Sequence, residues 1–198
     1  AGIRVPLGQR AGTIAHGNLS PGESGRLLCA RLRLPQRTSC AFPLIPETMI
    51  NYHSPDLTQF PPRSPRVRLG SFAHLPRLID KARATLAGKN GEYHYDCAMD
   101  GHFWEFTGLN ADAFLAEVKT GKCDYDLLTY VMNNLQPKRT KSEITAWSAW
   151  LENRPPLATE GRAFFNQVHT AIGPRREDIG TWCDLLDLDD FVSFGGMS

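Results

Sequence analysis

The chain contains no run of 18 apolar residues, so no segment of it reads as a membrane-spanning helix. It also lacks a glycine-rich phosphate loop, a serine nucleophile elbow and a paired-cysteine zinc motif, and none of those signatures assigns it a chemistry. Its five cysteines follow no metal or redox spacing. Three of them, Cys97, Cys123 and Cys183, lie beyond the first methionine, Met49. An odd number with no secretory core region ahead of it points to reduced thiols in a cytoplasm.

Residues 1–48 have no lysine and one aromatic, Phe42. They carry six arginines, two acids (Glu23 and Glu47) and 11 glycines or prolines. Their apolar residues keep neither a helical nor a strand period, so no face can be buried to offset the entropy of ordering. This head is expected to be disordered and to stand outside the native domain, as upstream sequence ahead of Met49. A targeting peptide and a basic arm for nucleic acid are the competing readings. Against the first, Pro6, Pro21, Pro35, Pro43 and Pro46 would break an amphipathic helix.

Residues 49–198 have the size of a single domain. The head is +4 and these residues are −3, with 16 basic against 19 acidic side chains. Leu75, Leu78, Ile79, Ala82 and Leu86 recur at helical spacing, with Pro76 in the first turn and Gly88 as the stop. A second helix follows Asn110, carries Phe114, Leu115 and Val118, and ends at Gly121. A third starts at Asp124 and carries Leu127, Leu128, Val131 and Leu135. A capping box, Thr140 to Glu143, opens a fourth with Ile144, Trp147 and Leu151, and Pro155-Pro156 stops it. A fifth spans about Glu160 to Ile172. A sixth carries Ile179, Trp182, Cys183 and Leu186, with Glu177 and Asp178 in its first turn. Residues 92–107 read either as a short helix capped by Asp100 or as a hairpin turning through Ala98–Gly101, and the helix is preferred. The expected fold is all-α, a bundle of about six helices with the four tryptophans in its core.

Several phrases carry a resemblance. They are Pro61-Pro62-Arg63-Ser64-Pro65-Arg66-Val67-Arg68-Leu69-Gly70 and His74-Leu75-Pro76-Arg77-Leu78-Ile79-Asp80-Lys81-Ala82-Arg83-Ala84. Further on come Gly91-Glu92-Tyr93-His94-Tyr95, Glu105-Phe106-Thr107-Gly108-Leu109, and Asp178 to Asp190. Together they resemble a bacterial family catalogued as domain-of-unknown-function family 5069, over roughly residues 56–192. The resemblance implies one soluble bacterial domain with the head outside it, and it brings no catalytic residues.

The strongest electrostatic feature is residues 61–83, with six basic side chains against one acid, Asp80. Arg63, Arg66, Arg68 and Arg77 are the candidate anion-binding set, because guanidinium groups grip carboxylate or phosphate through two parallel hydrogen bonds. The competing reading docks this strip on the acids of the last helix, Asp184, Asp187, Asp189 and Asp190. The same acids could hold Mg²⁺ or Ca²⁺, but they lack the calcium-loop pattern, and no metal or cofactor is expected. The segment Tyr93–His102 supplies the catalytic candidates His94, Asp96 and Cys97. His74 is read as a cap of the first helix and His169 as a residue that hydrogen-bonds locally. The first functional expectation is a non-enzymatic binding or interaction module. The alternative is an enzyme acting on a phosphorylated or carboxylated small molecule held by the Arg63–Arg68 strip. An anionic small molecule is the expected partner; membrane is excluded and nucleic acid disfavoured, since the domain is net negative. The sequence does not fix an oligomeric state.

Overall fold

A computed structural model describes residues 53–197 of the chain. The head, residues 1–48, lies outside the described residues, and so does the expectation that it is disordered. Among the described residues there are seven helices and one short hairpin. In chain order they are β1 (Arg68–Leu69), β2 (Phe72–Ala73), α1 (Leu75–Leu86), α2 (Ala98–Thr107), α3 (Ala111–Lys119), α4 (Asp124–Asn134), α5 (Lys141–Glu152), α6 (Thr159–Ile172) and α7 (Trp182–Ser193). The protein is mostly helical, as its periodicity predicts. No helix among the described residues is long and apolar enough to cross a membrane.

The elements begin where local chemistry satisfies their free N–H groups. The Asn110 side chain accepts from Ala113 N and starts α3. Thr140 and Glu143 form the reciprocal capping box at α5. Two starts differ from expectation. The helix in the 92–107 region is real but begins at Ala98, because Asp100 accepts from the Cys97 N–H as the inner residue of a capping box rather than as the cap itself. The last helix begins at Trp182, because Thr181 caps it and Asp184 bonds back to the Thr181 N–H. Glu177 and Asp178 therefore lie before the helix, and Asp178 pairs with Arg176.

The hairpin was not legible in the sequence. Its two-residue turn, Gly70-Ser71, has φ of 58° and 77°, the left-handed pair that suits the twist of a tight hairpin. A Cβ at Gly70 would also collide with the Leu128 side chain. Ser148 of α5 locks the hairpin in place, donating to Ser71 O at 2.7 Å and accepting from Ala73 N at 2.9 Å.

Buried apolar side chains gather in two clusters. The larger includes Phe72, Leu78, Ile79, Phe103, Phe114, Leu127, Val131 and Ile144, drawn from β2 and α1–α5. Phe103 is its aromatic hub, with edge contacts to Phe72, Trp104 and Trp147 at 5.3–6.1 Å. The smaller holds Phe165 of α6, Ile179, and Leu185 and Leu188 of α7. Cys183 is buried too, and burial pushes its thiol pKa up to about 11. Trp150, expected in the core, is 47% exposed, because it faces away from the Ile144–Leu151 stripe.

Helix α1 is buried on every side from Leu75 to Ala84, including its charged residues. Arg77 bonds both carboxylate oxygens of Asp190, at 2.6 and 3.2 Å. Asp80 receives the Arg63 guanidinium at 2.7 and 2.8 Å. Lys81 meets both oxygens of Asp100 at 2.7 Å, and Arg83 meets Asp124 at 2.7 Å. Removing one partner of such a pair strands a buried charge, which costs about 3–5 kcal/mol. Asp190→Ala, which would strand Arg77 and remove the acceptor of the Tyr93 hydroxyl, should lower unfolding stability by about that amount. Asp178→Ala, which breaks a pair exposed to solvent, should leave stability nearly unchanged. Urea denaturation of the two variants checks the contrast.

Candidate functional site

The left-handed turn that ends the hairpin also builds the site. His74 has φ 68°, a conformation that non-glycine residues adopt only when the surroundings enforce it. Its N–H donates to Pro65 O at 2.8 Å, and its side chain is about 1% exposed. Nε2 lies 2.8 Å from Asp100 Oδ1. Asp100 is itself buried, and burial alone would raise its pKa. Hydrogen bonds and charge from His74 and Lys81 outweigh that and hold its carboxyl well below the usual carboxylate range. An ionised Asp100 only accepts hydrogen bonds, so the Nε2 of His74 carries the proton. Burial pushes the His74 pKa down, partly offset by Asp100, and the ring is neutral. Its Nδ1 is then a bare acceptor, buried and without a partner.

His74 forms part of the wall of a cavity of about 720 Å³, within the size range of small-molecule sites. Arg77 and Lys81 of α1 line one side. The Gly91–Cys97 loop and Met99 line another. Phe164 of α6, Leu186, Asp189 and Ser193 of α7, and Phe194 close the rest, with Leu57 and Thr58 at the edge. Phe164 is exposed to this space rather than packed in the core, which its helical stripe did not indicate.

The candidates named from sequence separate cleanly. His94 and Cys97 reach the cavity together, and Arg77 joins them. Asp96 does not line it; it accepts from the Trp104 indole at 2.9 Å. Of the arginine strip, only Arg77 lines this cavity. Arg63 is held by Asp80 and by Asp124 at 2.6 Å. Arg66 lies on Asp184 and, at 2.6 Å, on Asp187, and Arg68 lies on Glu152 at 2.6 Å. Of the acids of the last helix, Asp184, Asp187 and Asp190 thus meet Arg66 and Arg77. His169 makes the local bond expected of it, Nε2 to Arg176 O at 2.8 Å. Among the described residues no three His, Cys, Asp or Glu side chains cluster in a metal-binding arrangement.

A family profile described as a domain of unknown function (DUF5069) matches residues 59–192. The chain belongs to that family. The matched span begins just ahead of the arginine strip and ends within α7, so it includes nearly every wall of the cavity. No curated protein sequence matches the chain.

Lys81 completes the site. Its ammonium donates to Asp100, to His94 O at 3.1 Å and to Cys97 Sγ at 3.4 Å. Cys97 stands at the N-terminus of α2 and is half-buried on the cavity wall. Sequence reasoning missed His74, Lys81, Asp100 and Asp189 as a group. Only the density of ionisable residues over 93–102 hinted at them.

The buried pair gives a pH signature. The folded-state pKa of Asp100 is depressed, so its stabilisation is complete above the unfolded value of about 3.9 and is lost as pH falls through the folded one. The folded-state pKa of His74 is depressed as well, so its contribution is complete above about 6.5 and declines as pH falls below that. Wild-type stability should therefore fall on acidification from about pH 7 to about pH 5, and fall more than that of His74→Gln, which keeps a donor for Asp100 and cannot titrate. Urea midpoints of both proteins across that range test this; parallel curves would mean that folding leaves the His74 pKa unshifted, and a wild-type curve that rises relative to the variant on acidification would mean that the buried ring is charged.

Proposed function

We propose that this domain is a binding module for a small molecule that occupies the cavity between α1, α6, α7 and the Gly91–Cys97 loop. The observation that carries this reading is a cavity of about 720 Å³ whose wall includes His74, Arg77, Lys81, His94 and Cys97. Buried polar atoms are nearly always satisfied, and His74, a residue of this wall, keeps one buried ring nitrogen without a partner among the described residues. The mix of apolar walls with a few fixed polar groups is the usual character of such sites. An anion on Arg63, Arg66 and Arg68 loses its support, because each already meets a carboxylate of the chain. Nucleic acid is disfavoured for the same reason. A bacterial cytoplasm is the compartment we infer, from the family resemblance and from Cys97, Cys123 and Cys183 being unpaired.

A thermal-shift screen of small molecules tests the proposal. A ligand at 100 times its Kd should add about 2.7 kcal/mol to stability. Ser193→Trp, at the exposed end of α7, should fill the cavity and abolish the shift while folding normally. Hits that stabilise Ser193→Trp equally, or a screen with no hits, would overturn the reading.

A second reading, an enzyme with Cys97 as nucleophile, is favoured by the Lys81 ammonium 3.4 Å from Sγ. The Lys81 ammonium donates to the sulfur, and Cys97 stands at a helix N-terminus on the cavity wall. Cys123 is an internal control: it also starts a helix, but its thiol faces Asp126 at 3.2 Å. Iodoacetamide should alkylate Cys97 faster than the more exposed Cys123, as followed by peptide mass spectrometry, and Lys81→Met should reverse the order. Faster reaction at Cys123 in the wild type would remove the enzyme reading.

A further inference from the structure

The hydrogen-bonding inventory of the cavity is one-sided. Its two permanent cations are already committed. The three protons of Lys81 go to Asp100, His94 O and Cys97 Sγ, which is all an ammonium can give. Arg77 grips Asp190 with both terminal nitrogens, and one of them also reaches Arg63 O at 3.3 Å. The Tyr93 hydroxyl donates to Asp190 at 2.8 Å. What stays open is mainly acceptors, the carboxylates of Asp189 and Glu92. Among the described residues neither Asp189 nor Glu92 has an ion pair.

The charge balance agrees. Arg77 and Lys81 face the carboxylates that bind them, Asp190 and Asp100, and the cavity adds Asp189 and Glu92. Two positive charges stand against four negative ones. An anion entering here would meet net repulsion and no open cationic donor. Asp189 is partly buried between Leu186 and Ser193 on the α7 wall, and burial together with the neighbouring Asp190 pushes its pKa up. A carboxylate disfavoured in this way gains by meeting a cation. Phe164 and Phe194 line the same space, and aromatic rings attract cations as well as apolar groups.

We infer that the ligand of this cavity is an organic amine: an apolar or aromatic body carrying a protonated nitrogen that pairs with Asp189. The inference rests on the cavity being the binding site and adds the class of molecule it takes.

The test uses the full chain and three compounds of matched skeleton, 2-phenylethylamine, 2-phenylethanol and 3-phenylpropionate, titrated calorimetrically against wild type, Asp189→Asn and Ser193→Trp. The amine should bind wild type at least about tenfold more tightly than the carboxylate, the scale of one charge-assisted hydrogen bond. Asp189→Asn should lose about that factor for the amine and leave the alcohol unchanged, since only the charge is removed. If the carboxylate binds as tightly as the amine, or Asp189→Asn leaves amine affinity intact, the amine inference fails. Loss of all binding in Ser193→Trp would then show that the cavity reading survives it. Binding of none of the three compounds to wild type would overturn both.

Discussion

The neutralisation of the charges on α1 governs the rest of the molecule. A helix with Arg77, Asp80, Lys81 and Arg83 on it would ordinarily keep one face in water, yet here that face is buried. Burial is tolerated because each charge has a partner on a different part of the chain: Asp190 on α7, Arg63 on the proline-rich lead-in, Asp100 on α2 and Asp124 on α4. Taking charges out of water is costly, and the mutual attraction largely offsets that cost rather than adding much stability. The effect is positional. Elements that would slide over a greasy surface are held where the ion pairs close. The two apolar clusters, one around Phe103 and one around Phe165, are joined across the Arg77–Asp190 and Arg66–Asp187 pairs.

The same bonding shapes the cavity. Cations that a reader of the sequence would assign to an anionic ligand are neutralised internally, and their hydrogen-bonding capacity is taken up. The leftover groups are acceptors, and the leftover charge is negative. A cavity that begins with arginine and lysine in its wall thus presents the opposite electrostatic face to a ligand. The His74–Asp100–Lys81 triad carries this furthest, since the buried carboxylate both fixes the imidazole tautomer and binds the ammonium.

Much of the helical framework was legible in the letters. The spacing of Leu75, Leu78, Ile79 and Ala82, the Thr140–Glu143 box and the Asn110 cap are local signals, set by helix geometry within a few residues. The Gly70-Ser71 hairpin was not legible, because two residues per strand leave no alternation to see. The start of α7 was misplaced for a related reason. Acids are welcome in any first turn, and only the reciprocal Thr181–Asp184 bonding distinguishes the true start. His74 was passed over because nothing in its neighbours announces a left-handed backbone or a partner 26 positions away.

Composition and periodicity were enough to establish a helical domain and an arginine strip whose charges needed acids, since both follow from properties each residue carries with it. Which acid each arginine would meet, which histidine would be buried with an open nitrogen, and whether the strip faced a ligand or the protein's own carboxylates were matters of three-dimensional proximity. Pairs such as Arg77 with Asp190 lie 113 residues apart, and their meeting depends on how every intervening helix packs. Electrostatic character at a site is a sum over neighbours in space, and a linear sequence does not contain that list.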